Sequence, residues 1–135
     1  MSEHDYTGEV MLNILLTTAR PEVLRSFTEA LSSDPEVRLE QVASAADALK
    51  AVRTSSPHLA VIDFELPDAR PLDLVSELLM IDAMVSTAVM SLLSEEEFHE
   101  VSEGLGVLAR LPAEPETGDA AELLGKLRGI IGLPR

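Results

Sequence analysis

Asp63 directly follows the apolar run Leu59-Ala60-Val61-Ile62, at the point where a buried strand would open into a loop. A carboxylate there is costly to desolvate unless it has a partner. It is therefore read either as the cap of a turn or as a reactive or ion-binding group. The three histidines, His4, His58 and His99, are too scattered to make a zinc site and are read as surface or turn residues. No serine stands in a G-x-S-x-G elbow, so a hydrolase nucleophile has no support. Gly104 and Gly106 precede a strand rather than a helix, which excludes a glycine-rich phosphate loop. Glu95, Glu96 and Glu97 form an acidic run, read as a solvated first helical turn that favours the helix dipole. The same run could also form part of a docking face for a basic partner.

The elements that must position these residues follow from periodicity and punctuation. Met11 to Thr17 reads as a buried strand, and Pro21 suits the first turn of a helix over Glu22 to Ser32. In that helix Val23, Phe27, Ala30 and Leu31 are assigned to the inner face. Val37, Leu39 and Val42 suggest a second strand whose alternation breaks at Gln41. Ser44 and Asp47 resemble a capping box for the helix carrying Ala48, Leu49 and Val52. Leu59 to Ile62 is a continuous apolar run, as in a parallel strand covered on both faces. A helix over Leu72 to Ile81 and a strand over Thr87 to Leu93 come next. Ser94 then caps a short acidic helix ending near Ser102. Val107 to Leu111 is the last strand, and Asp119 with Glu122 opens the last helix, with Leu123, Leu127, Ile130 and Ile131 facing inward.

Five strands alternating with five helices predict an α/β domain with a doubly wound parallel sheet. Ligands of such sheets bind beyond the carboxyl ends of the strands, at the switch point. The loops there hold Thr17 to Arg20 and Asp63 to Pro71.

Composition narrows the classes. With 135 residues, 46% of them hydrophobic and 25% charged, the chain suits one globular domain, assigned to residues 12–132 after a polar tail over 1–11. It has no cysteine, which removes thiol redox chemistry and thiolate metal sites. A net charge of −14 disfavours nucleic acid and anionic lipid as partners and favours basic protein surfaces, although the same charge also serves solubility. The polar start, Met1 to Glu9, does not suit a signal peptide, and the cytoplasm is the expected compartment.

The segment Leu59-Ala60-Val61-Ile62-Asp63-Phe64-Glu65-Leu66-Pro67-Asp68 resembles the third strand and following loop of response-regulator receiver domains, the CheY-like family of two-component systems. By element order the resemblance extends from about Leu12 to Ile131. It implies a flavodoxin-like (βα)5 fold of strand order 2-1-3-4-5, with Asp63 in the place where a histidine kinase delivers a phosphoryl group.

The departures from that pattern bear on function. The acidic pair that holds Mg²⁺ in receivers falls on Thr18 and Ala19, or on Thr17 and Thr18 if the alignment slips by one. The hydroxyl residue closing the fourth strand falls on Leu93, with Ser94 one residue late and Ser91 two early. The lysine after the fifth strand falls on Leu111, and the switch aromatic falls on Leu108. Arg20 is the candidate charge partner of Asp63. Mg²⁺ wants hard oxygen ligands, usually with one or two carboxylates, and phosphoryl transfer needs cations to neutralise developing charge.

The resemblance is therefore to a degenerate receiver, or pseudo-receiver. This reading expects an interaction module without catalysis, resident cofactor or metal. Its expected partners are proteins: a basic surface, a histidine kinase, an output protein or a second copy of the chain. The interaction face is expected around Glu95, Glu96, Glu97 and Leu108. The alternative is a working receiver phosphorylated on Asp63 with Mg²⁺. A flavodoxin-like ligand-binding domain or enzyme is a more distant third, given only four aromatic residues.

Overall fold

The computed structural model describes residues 11–132, so the polar tail lies outside the described residues except for Met11. Five parallel strands, β1 (Leu12–Thr17), β2 (Val37–Val42), β3 (Leu59–Ile62), β4 (Ser86–Met90) and β5 (Ala109–Leu111), form one sheet in the order β2-β1-β3-β4-β5. The helices are α1 (Arg25–Ser32), α2 (Ala45–Thr54), α3 (Pro71–Ile81), α4 (Glu95–Val101) and α5 (Thr117–Ile130). This is the expected doubly wound fold.

Side-chain alternation sorts the core into two layers. Leu12, Ile14 and Leu16 of β1 pack with α1 and α5, through residues such as Phe27, Leu31, Leu123 and Leu127. Leu15 points the other way, into a cluster with Ala48 and Val52 of α2, Leu74 and Leu78 of α3, and Phe98 of α4. The central strand β3 is buried at all four positions, as its unbroken apolar run requires.

The broken alternation of β2 also has a structural cause. Val37 and Leu39 pack on the α1/α5 layer, whereas Val42 packs on the opposite layer, so Gln41 is left exposed on the first side of an edge strand.

Several expected boundaries and faces are corrected. Residues 21–24 form turns, closed by Val23 N–H donating to the Arg20 carbonyl at 3.1 Å and Leu24 N–H donating to the Pro21 carbonyl at 3.1 Å. These i to i+3 turns advance the phase, so Leu24 is fully buried and Val23 remains 41% exposed. The inner stripe is Leu24, Phe27 and Leu31 rather than one starting at Val23.

β4 stops at Met90, because Ser91 Oγ accepts the Leu93 N–H at 3.0 Å and turns the chain out of the sheet. β5 is shorter than expected by two residues at its start. α5 begins at Thr117, where Asp119 reaches back to accept the Glu116 N–H at 2.8 Å. Ile130 and Ile131 are exposed rather than inward-facing. Arg128 already meets Asp34 and Glu36 in the loop after α1, so the turn beyond it has no element to pack against.

Candidate functional site at the carboxyl ends of β1 and β3

Parallel pairing of β1 with β3 aligns Thr17 with Ile62, which brings the next residues, Thr18 and Asp63, side by side where the two strands end. The Asp63 N–H donates to the Thr17 carbonyl at 3.0 Å, extending the ladder by one bond. Asp63 thereby points its carboxylate into the switch-point crevice, with 0% exposure.

Both carboxylate oxygens are fully engaged. Oδ2 accepts Thr18 Oγ1–H at 2.7 Å and Arg20 Nε–H at 2.8 Å. Oδ1 accepts Arg20 Nη2–H at 2.8 Å and the Phe64 N–H at 2.7 Å. The arginine is thus bidentate, the strongest form of this pair. The four donors match the roughly four lone-pair sites of a carboxylate.

Arg20 is itself held in place. Its N–H donates to Thr18 Oγ1 at 3.0 Å, its Nη2 also donates to the Ala113 carbonyl, and its guanidinium carbon lies 4.5 Å from the centroid of the Phe64 ring. The hydrogen bond to Asp63 raises the guanidinium pKa above its ordinary value. Partial burial opposes that rise, and the charges of Asp63, Glu114 and Glu65 add to it.

The cation beside Asp63 therefore comes from the loop after β1 and bridges to the loop after β5. At the end of β5, Leu111 is buried in the α1/α5 layer and brings no charge. Arg110 instead donates from Nε to the Leu93 carbonyl at 2.8 Å and lies 3.6 Å from Glu95. Ala19 is exposed in the β1–α1 loop, and the buried Thr17 hydroxyl has no hydrogen-bond partner.

Leu93, expected to close the fourth strand, lies in the loop beyond it, and the buried Ser91 is the first residue after the strand. Glu95, Glu96 and Glu97 are exposed on α4, where Glu97 and Ser94 complete a reciprocal capping box. Leu108 is half-buried against the α1/α5 layer.

Mg²⁺, which the family resemblance implies, does not fit these residues. The single carboxylate at the crevice has its lone pairs occupied by a guanidinium, a hydroxyl and an amide. Among the described residues no cluster of three or more His, Asp or Glu side chains could hold a metal ion.

Sequence reasoning missed two features of the neighbourhood. One is Thr18 acting as a donor to Asp63, although a hydroxyl in place of an acid was a visible signal. The other is Asp68, whose carboxylate accepts the Ala45 N–H at 2.8 Å and the Ala46 N–H at 3.0 Å. It ties the loop after β3 to the start of α2, alongside the Ser44 cap. An aspartate shortly after the β3 strand, facing a helix start across the sheet end, is the signal that could have revealed it.

No family model and no curated protein sequence matches the chain. Solved structures do, receiver domains and response regulators among them. A CheY-like response regulator receiver domain protein from Methanospirillum hungatei JF-1 superposes with a TM-score of 0.78 at 20% identity, covering 90% of this chain and 98% of that one. The chemotaxis response regulator CheY4 of Vibrio cholerae gives 0.76 at 13% identity, over 87% and 98%. The isolated REC domain of RcsB from Salmonella enterica serovar Typhimurium gives 0.76 at 13% identity, over 88% and 89%. The chain has the receiver fold.

Proposed function

We propose that this chain is a receiver-like signalling module of the two-component type that does not take up phosphate by the Mg²⁺-dependent route and acts through protein contacts. The observation that carries this reading is the closed carboxylate: Arg20 engages both oxygens of Asp63 while Thr18 and the Phe64 amide fill the remaining positions. Attack on phosphorus needs a free oxygen lone pair, and the developing charge needs a metal or a cation free to follow it. Here the cation is already committed to the ground-state carboxylate, an arrangement that opposes transfer.

Receiver-type contacts would be made by the face bearing Glu95, Glu96, Glu97 and Leu108, toward a kinase, an output protein or another basic surface. No helix among the described residues is long and apolar enough to cross a membrane. The module is assigned no catalysis of its own.

Incubation with Mg²⁺ and acetyl phosphate, followed by intact mass measurement, tests the reading. The mass is expected to stay unchanged. A stoichiometric gain of one phosphoryl group that disappears in Asp63→Asn would establish a working receiver instead.

A further inference from the structure

Beside the Asp63 site, a groove of about 480 Å³ runs between the start of α3 and α4. Its floor includes Val89, Met90 and Phe98, and its walls include Leu72, Leu92 and Val101. Two of these are large apolar side chains presented to solvent: Leu92 is 74% exposed and Val101 55%.

The phase of α4 turns Glu95 and Val101 to different flanks of the helix. Glu95 lies on the flank toward β5, where it approaches Arg110. Val101 lies on the flank toward α3 and lines the groove, while Glu97, one turn before it, folds back so that its Oε1 accepts from the Ser94 N–H and Oγ–H at 3.2 Å. On the facing helix Asp73 lines the groove, and Glu77 follows one turn later, also exposed. Asp73 is thus the one carboxylate and Arg70 the one cation in the lining, and Glu77 extends the acidic flank of α3 beyond it.

We infer that this groove docks a basic amphipathic helix of a partner protein, its apolar stripe seated between Leu92 and Val101 and its lysines or arginines facing Asp73 and Glu77. This mode of recognition places apolar anchors at i, i+3, i+4 and i+7 in a hydrophobic groove. Charge selects the occupant. A second copy of this chain would bring another −14 against an equally acidic molecule, whereas a basic helix offsets that charge. The inference rests on reading the chain as an interaction module.

The test is fluorescence anisotropy with a labelled peptide of Leu, Lys and Ala, roughly 18 residues long so that it spans several helical turns, with leucines in the i, i+3, i+4, i+7 pattern. The full chain is expected to bind it, and added salt is expected to weaken binding. Leu92→Ser with Val101→Ser should weaken binding about tenfold, the scale of losing a central anchor. Val23→Ser with Ile130→Ser, exposed apolar positions on the opposite layer, should leave it unchanged.

Equal weakening by both pairs of substitutions would overturn the inference, since binding would then not be specific to the groove. No weakening by either pair would also overturn it, because binding would then follow net charge alone. Equal binding of a peptide with Glu in place of Lys would do so too. Light scattering that shows a dimer dissolved by the Leu92 and Val101 substitutions would assign the groove to a second copy and equally overturn it. Because these variants leave Asp63 untouched, failure here stands apart from a positive result in the phosphorylation assay.

Discussion

Arg20 and Asp63, 43 residues apart in the chain, meet fork to fork: Nε lies 2.8 Å from Oδ2 and Nη2 lies 2.8 Å from Oδ1. The pair spans the crevice between β1 and β3, and the same guanidinium reaches the Ala113 carbonyl beyond β5. One side chain thus joins three loops that a metal ion and a lysine would otherwise organise in a receiver. Its removal should be felt in stability before it is felt in any activity.

Arg20→Ala leaves a fully buried carboxylate with only a hydroxyl and an amide. Breaking one side of such a pair costs about 3 kcal/mol, toward the low end of the usual range because the arginine retains some solvent contact. Arg20→Lys should recover only part of this, since an ammonium cannot reproduce the planar bidentate grip. Urea unfolding of the three proteins measures both differences. A loss below about 0.5 kcal/mol, the scale of an ordinary surface substitution, would show that the pair holds nothing together.

Mg²⁺ is expected to leave the melting temperature of the native chain unchanged. In a triple variant, Thr18→Asp, Ala19→Asp and Arg20→Ala, carboxylates are restored beside Asp63 and the competing cation is removed. That variant is expected to gain Mg²⁺-dependent stability, about 2.7 kcal/mol at a hundredfold excess over its Kd. Mg²⁺ stabilisation of the unaltered chain, detected by the same thermal scans, would contradict the closed-site reading.

Asp68 makes the acid limb of stability informative. The Ala45 amide, followed by the Ala46 amide, holds its carboxyl below the usual range. A folded-state pKa below the unfolded value of about 3.9 gives stability that is complete above that value and lost as pH falls through the lower one. The native chain should therefore exceed Asp68→Asn in stability at neutral pH, and the gap should close on acidification. Denaturant midpoints collected from neutral pH down to strong acid would reveal this; a gap that is constant with pH would refute it.

The corrected phase of the first helix is testable by two neighbouring substitutions. Leu24→Ala removes a fully buried side chain and is expected to cost about 3 kcal/mol, within the usual range for core leucines. Val23→Ala, one residue earlier and partly exposed, should change stability by no more than about 0.5 kcal/mol. The reverse ranking in denaturant midpoints would restore the inner face expected from periodicity.

Much of the architecture was legible in the chain because local physics wrote it there. The runs at Leu12–Thr17 and Leu59–Ile62 are too continuously apolar to sit anywhere but inside a sheet covered on both faces. Alternation with amphipathic helices then leaves a parallel doubly wound order as the economical solution. The ends of elements were less legible. Turns at Pro21 and Ser91, and the reach of Asp119 back to Glu116, depend on single hydrogen bonds that shift a boundary by two or three residues without changing composition.

By itself, then, the sequence determined the layers, the placement of Asp63 at a strand end and the lack of carboxylates at Thr17, Thr18 and Ala19. It could name Arg20 as a candidate charge partner of Asp63 but not its bidentate grip, because the orientation of a long side chain is set by neighbours distant in the chain. Only the tertiary structure decided that the guanidinium lies against Asp63, is stacked on Phe64 and is anchored to Ala113. Only strand pairing and helix packing could have brought Thr18, Asp63 and the loop beyond β5 within hydrogen-bonding range of one another.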